Sequence, residues 1–308
     1  MTEPEHPRDV RPDKPPPALL PLDTTSGLLT RISAQLGNQL SLVSLNGTRR
    51  PVHTNRTPSR LAAPTLVAVA HGSRDPRALR TVTTLLERIR ELRPGLSVRL
   101  GHIELNEPLL PETLAELGTG RAVLVPLLLS RGYHVKQDIP EAAAGAPRLH
   151  TRTAAPLGPH PLLVEALYAR LVEAGWNTAD SAARSTGVVL AAAGSRDPAS
   201  AADVRRTAAM LSERLGGVPV LPGYASAASP TVPEAVRALA ARGRHRVAVA
   251  SYFTAPGRFA SQSAAAAPWI AAAPLGAHPA LARLVLRRYD RALAGVADTA
   301  PLHLAATA

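Results

Sequence analysis

Thr65-Leu-Val-Ala-Val-Ala-His71-Gly-Ser-Arg-Asp-Pro76 decides the fold. A short apolar run breaks off at His71-Gly72-Ser73, and Pro76 suits the first turn of a helix. From there Leu79, Val82, Leu85, Leu86 and Ile89 fall at helical spacing, which predicts a helix over Pro76–Leu92. A strand that runs through a polar turn into a helix is the building unit of a parallel α/β sheet. The pattern continues with a strand at Ser97–Ile103 and a helix at Pro108–Leu117. Ala122–Leu129 is almost wholly apolar, as expected of a parallel strand covered on both faces. A short helix near Val135–Ala144, a fourth strand at Arg148–Ala154 and an amphipathic helix at Pro161–Ala174 complete one lobe.

The pattern then repeats. His71-Gly-Ser-Arg-Asp-Pro76 is matched by Ala193-Gly-Ser-Arg-Asp-Pro198, and Leu157-Gly-Pro-His-Pro161 by Leu275-Gly-Ala-His-Pro279. Two strings shared in the same order mark a tandem duplication. The second copy reads as strands at Gly187–Ala193, Val218–Tyr224 and Arg246–Phe253, with helices at Ala199–Leu215, Pro230–Ala241, Arg258–Ala266 and Ala280–Leu293. The expected architecture is α/β, with two tandem lobes facing across a cleft. Each lobe is expected to be a four-stranded parallel sheet of flavodoxin-like winding, flanked by helices. The predicted boundaries are a disordered, proline-bearing extension over 1–62, a first lobe over 63–175, a linker over 176–186, a second lobe over 187–294 and a tail over 295–308.

Composition narrows the chemistry. The 308 residues include no cysteine, which removes disulfides, thiolate metal sites and cysteine nucleophiles. Aromatic residues are only 3%, too few for a stacking platform for single-stranded nucleic acid. No apolar stretch is long enough for a transmembrane helix and no signal-peptide core is visible, so a cytoplasmic protein without a membrane partner is expected. The net charge is +12, and Lys14 and Lys136 are the only lysines. The arginines are scattered among acids rather than clustered, so no nucleic-acid partner is predicted. Arginine is the side chain best suited to hold carboxylates.

The duplication provides an internal control, because features kept in both halves are more often structural. Ser73, Arg74 and Asp75 recur as Ser195, Arg196 and Asp197, and His160 recurs as His278. Both sets precede a helix-starting proline; Ser and Asp there read as N-caps, and the two histidines as structural. The Ser-Arg turn could also hold an anion at the helix start. The lost set is more informative. His71 becomes Ala193, Glu104 becomes Ser226, Glu107 becomes Ser229, His102 becomes Tyr224, and His134 faces Phe259. In a sheet of order 2-1-3-4, His71, Glu104 and His134 stand at the carboxyl ends of three neighbouring strands, where doubly wound folds bind ligands. Two imidazoles and a carboxylate converging there suit a divalent first-row metal and proton transfer.

The strand ending in His71-Gly-Ser-Arg-Asp-Pro76, the turn Gly101-His-Ile-Glu-Leu-Asn-Glu-Pro108, and Val125-Pro-Leu-Leu-Leu-Ser-Arg-Gly-Tyr-His-Val-Lys-Gln-Asp-Ile-Pro140 together resemble the sirohydrochlorin chelatases of the CbiX type. The resemblance covers about residues 65–294. It implies a lyase that inserts Co2+ or Fe2+ into sirohydrochlorin, on the way to cobalamin or sirohaem. No permanently bound cofactor is implied, and the metal ion is a substrate. By the same resemblance His71 and His134 handle the metal, and Glu104 is their acidic partner in the cleft. The tetrapyrrole carries carboxylates at its rim. Ser73, Arg74, Arg131 and Lys136 of the first lobe and Arg196 and Arg258 of the second are the groups expected to hold them. Short members of this family are single repeats that form homodimers. The fused chain is therefore expected to be a monomer with one site.

Two rivals remain at the level of sequence. A non-catalytic carrier of metal or tetrapyrrole would use the same ligands. A phosphoryl-transfer enzyme with a histidine nucleophile would also present His-Gly at a strand end. Such enzymes usually place arginine directly before the histidine, where this chain has Ala70.

Overall fold

The computed structural model describes residues 63–295. Strand β1 (Thr65–Ala70) is flanked by β2 (Val98–His102) and β3 (Gly120–Pro126), and β4 (Leu149–Thr153) lies beyond β3. All pairings are parallel and the order is β2-β1-β3-β4, as the sequence predicts. In the second lobe, β5 (Thr186–Ala192) lies between β6 (Val220–Tyr224) and β7 (Arg246–Ser251), again all parallel. The expected fourth strand of that lobe is absent among the described residues. A single bridge, Val249 to Ala271, stands in its place. Two hydrogen bonds make it, Val249 N to Ile270 O and Ala272 N to Val249 O.

Local chemistry sets where the helices begin. Helix α1 (Pro76–Leu92) is capped by Asp75, whose carboxylate accepts a hydrogen bond from Arg77 N at 2.9 Å. It buries Ala78, Val82, Leu85, Leu86 and Ile89. Leu79, expected on that face, is instead exposed, and Ala78 takes its place. Helix α2 (Leu110–Leu117) connects β2 to β3. The short helix expected after β3 is two pieces, α3 (Tyr133–Lys136) and α4 (Asp138–Ala144), broken at Gln137. Helix α5 (Pro161–Glu173) follows β4. The stretch read as a linker is itself folded. It carries α6 (Thr178–Ala182), a buried Trp176 and an Asn177 cap that accepts from Asp180 N. Helices α7 (Pro198–Arg214), α8 (Val232–Ala240), α9 (Arg258–Ala265) and α10 (Pro279–Ala294) complete the second copy. No helix among the described residues is long and apolar enough to cross a membrane.

The lobes do not divide cleanly at the linker, because their closing helices are exchanged. Helix α5 belongs to the first copy by sequence but packs on β7 and α7 of the second. Helix α10 ends the second copy but packs on α1, β3 and β4 of the first, as well as on α5. Polar ties secure the exchange. Arg93 pairs with Asp290, Tyr289 donates to Pro64 O, and Arg170 donates to Leu275 O at 2.9 Å. As a result one continuous apolar core runs through both lobes, from Leu66, Ala68 and Val125 to Leu190, Ala250 and Tyr289. The outer faces of the two sheets have smaller separate clusters around Val67 and Val69 and around Val189 and Val249. Residues 1–62, predicted to be a disordered extension, and 296–308 of the predicted tail lie outside the described residues.

Candidate functional site

The carboxyl edge of the first sheet is held by backbone geometry. Ile103 N donates to Ala70 O and Glu104 N donates to His71 O, so the turns after β1 and β2 are locked together. Gly72 makes this approach possible. Its φ is +102°, and a Cβ there would lie 1.8 Å from the Glu104 carbonyl oxygen. Gly194 stands in the same relation to Ser226 O in the second lobe. Asn106 adds a contact that only the first lobe has, accepting from Ser73 N at 2.7 Å through its side chain. Its counterpart is Ala228.

On this frame the three expected residues meet. His71 Nε2 lies 3.4 Å from a Glu104 carboxylate oxygen. The His71 and His134 rings stand edge to face with centroids 4.7 Å apart. All three side chains are partly open to solvent, as a site for incoming reactants requires. Among the described residues no three of His, Asp or Glu form a ready-made cage for a metal ion. The cluster is loose and open on one side. His134 Nδ1 is bonded to Asp138 at 2.5 Å, a partner that the sequence reading missed. Glu104, His134 and Asp138 also line a cavity of about 780 Å3 floored by Ile103, Leu110 and Leu114.

The neighbouring first-lobe candidates lie elsewhere. His102 is 2% exposed with Nδ1 against Pro108 O, and burial pushes its imidazole below the ordinary 6.5. It is a core group, like Tyr224 opposite it. Glu107 is exposed and leans on Glu112, which holds it above the usual carboxylate range. His160 and His278, expected to be structural, are N-caps that accept from Leu162 N and Ala280 N.

Across the cleft, each lobe's Gly-Ser turn faces the other's glycine turn. A Cβ at Gly132 would lie 3.8 Å from Ser195 Oγ, and one at Gly257 would lie 3.5 Å from Ser73 Oγ. The six residues expected to hold carboxylates fall into three groups. Ser73 Oγ accepts from Asp75 N and supports the turn. Arg131 and Lys136 already have partners on the other lobe. Arg131 makes a forked pair with Asp203, which is 3% exposed and also accepts from Arg131 N. Lys136 pairs with Asp197 and lowers the pKa of that carboxyl. Arg74 and Arg196 are exposed with no ion pair among the described residues, and Arg258 covers only its neighbour Phe259. Two exposed apolar residues, Leu105 and Tyr133, flank the histidine cluster. Leu105 has a φ of +69°, rare for a bulky side chain and a mark of local strain.

Comparison with known proteins identifies the fold and the duplication together. The CbiX family model matches residues 65–174 and again 187–292. The chain belongs to the CbiX family. Its relatives include a sirohydrochlorin cobaltochelatase of Methanococcus aeolicus, 37% identical over 25% of this chain and 55% of that protein. The Methanosarcina barkeri sirohydrochlorin cobaltochelatase is 31% identical over 35% of this chain and 95% of that protein. A sirohydrochlorin ferrochelatase of Bacillus subtilis is 29% identical over 55% of this chain and 66% of that protein. The chain spans about half the length of several of the cobaltochelatases it matches. Among solved structures, SirB from Bacillus subtilis with Fe3+ superposes with a TM-score of 0.61 at 25% identity, covering 75% of this CbiX-family chain and 96% of SirB.

Proposed function

We propose that this CbiX-family protein inserts a divalent first-row metal, Co2+ or Fe2+, into sirohydrochlorin, using His71, His134 and Glu104. The observation that carries the proposal is the meeting of these three at one sheet edge, in one lobe only. Insertion exchanges two ring N–H protons for one M2+. Neutral imidazoles can hold the ion at part of its coordination sphere, and they can also accept protons. A site without a closed ligand cage suits an ion that must leave with the product. Glu104, 3.4 Å from His71 Nε2, is placed to share with it the holding of the ion and the uptake of ring protons.

The cleft supplies the rest. Arg74, Arg196 and Arg258, with no ion pair among the described residues, are the guanidinium groups for the rim carboxylates, and Ser73 supports the turn that carries Arg74. Arg131 and Lys136 serve a different purpose in this reading. They tie the lobes together, and rim carboxylates would have to compete with Asp203 and Asp197 for them. Leu105 and Tyr133 offer apolar surface to the ring. The protein acts in the cytoplasm as a monomer, its second lobe standing where a short relative places a second subunit, with neither a nucleic acid nor a membrane as partner.

Incubation of the purified chain with sirohydrochlorin and Co2+ or Fe2+, followed by absorbance, tests the proposal. Light scattering should return the mass of one chain. Many turnovers per chain are expected. Product that stops at one equivalent would make the protein a carrier, and no product would remove the assignment.

A further inference from the structure

His134 is not an isolated imidazole. Its Nδ1 lies 2.5 Å from an oxygen of Asp138, one helical turn ahead on α4 and only 30% exposed. A carboxylate at that distance fixes Nδ1 as the protonated nitrogen. The lone pair is then on Nε2, the ring atom left to meet an ion. His71 has no such backing. Its Nδ1 makes only a long contact to the adjacent Gly72 carbonyl, and its carboxylate neighbour sits at Nε2 instead.

The second lobe shows what becomes of this pair when the site is absent. Aligning Gly132 with Gly257 places Phe259 at the His134 position and Ser263 at the Asp138 position. Ser263 is 2% exposed, and its hydroxyl has no hydrogen-bond partner among the described residues. A carboxylate at so buried a position would need a partner to offset its burial. The histidine and the aspartate are thus replaced together, as expected if one exists for the other. Asp138 is not required merely for a helix there, because α9 (Arg258–Ala265) runs through the matching position, Ser263, without a carboxylate.

We infer that Asp138 is a positioning residue for the metal step: it orients His134, fixes its tautomer and strengthens Nε2 as a donor to the incoming ion. This inference rests on the reading of His134 as a metal ligand. It adds a fourth residue to the cluster, one that does not itself touch the ion.

The test uses the full chain without tetrapyrrole and reads Co2+ affinity by calorimetry, alongside the tautomer of His134 by nitrogen-15 NMR. Asp138→Asn should weaken Co2+ binding by about 10- to 100-fold, the range for losing an outer partner of a ligating histidine. The NMR spectrum should change from one tautomer, protonated at Nδ1, to a mixture. Asp138→Glu should recover part of the loss. Glu141→Gln is the control, since it removes the same charge from the same cavity wall without a bond to His134. Its effect should stay below about 3-fold, a screened charge at a distance. Equal losses in Asp138→Asn and Glu141→Gln, or an unchanged tautomer in Asp138→Asn, would overturn the inference. His134→Ala separates the two levels. If it binds Co2+ like the parent chain, the metal-ligand reading itself fails. If it loses binding while Asp138→Asn does not, only the role of Asp138 fails.

Discussion

The first and second lobes share one frame but differ in what the frame carries. Both keep the Gly-Ser-Arg-Asp-Pro turn, the glycine with positive φ and the Asp cap, because the backbone requires them. At the same edge, the first lobe presents His71, Glu104, Asn106, His134 and Asp138, where the second has Ala193, Ser226, Ala228, Phe259 and Ser263. The differences form two contacting groups, not a scatter. His71, Glu104 and Asn106 belong to the clamped turns after β1 and β2, and His134 and Asp138 to the paired helices after β3. The two copies thus keep the same backbone constraints while the polar side chains at the edge differ. On the proposed reading the second copy serves as a wall, since its turns bearing Arg196 and Arg258 lie against Gly132 and Ser73 of the first.

The sharpest way to break this comparison is to make the first lobe resemble the second. His71→Ala and His134→Ala together should lower kcat by at least about 100-fold, the low end for losing a positioned base or ligand. Glu104→Gln should cost less, since it keeps the shape and removes only the charge. Melting curves should show all of these variants folded, because the side chains line an open edge. Near-normal turnover in the double variant would reduce the differences between lobes to drift.

Arg131→Ala probes the asymmetry of the lobe contact. It leaves the buried Asp203 without its fork of hydrogen bonds, so unfolding free energy should fall by about 2 kcal/mol. Denaturant titration reads this directly. A silent Arg131→Ala, or a change in metal affinity with no loss of stability, would move Arg131 from the lobe tie to the substrate.

His278→Ala tests a feature that both lobes keep. Losing the cap of α10 should cost about 1 kcal/mol, with turnover of the remaining folded enzyme unchanged. A drop in turnover at unchanged stability would give that histidine a role in the chemistry.

The smallest effect is expected from His102→Tyr, which installs the residue of the second lobe. Burial lowers the His102 pKa in the folded state, so below the unfolded value of 6.5 the unfolded chain binds the extra proton. Stability from this group is therefore full above that pH and falls as pH drops through it toward the folded value. The variant should fold normally and lose this part of the acid sensitivity, read as melting temperature against pH. Unchanged acid sensitivity would assign it to other groups.

Much of this was legible in the sequence because it is local. The strand, turn and helix order of the first lobe, the sheet order and the caps at Asp75, His160 and His278 all follow from residues a few positions apart. The convergence of His71, Glu104 and His134 followed from the sheet order. What escaped depends on distant contacts. The exchange of α5 and α10 is invisible to periodicity, since each helix has an apolar face that would serve either lobe. Arg131 and Lys136 looked free because Asp203 and Asp197 are more than 60 residues away in sequence. Asp138 was within reach. It stands one turn past His134, and the second lobe has Ser263 in its place, just as it has Ser226 in place of Glu104.

The central claim is that one lobe of the two handles metal, and counting bound ions tests it most directly. Calorimetric titration of the tetrapyrrole-free chain with Co2+ should give one site per chain, abolished by His71→Ala with His134→Ala and retained in Arg196→Ala. Two equivalent sites per chain, or one site that survives loss of both histidines, would contradict it.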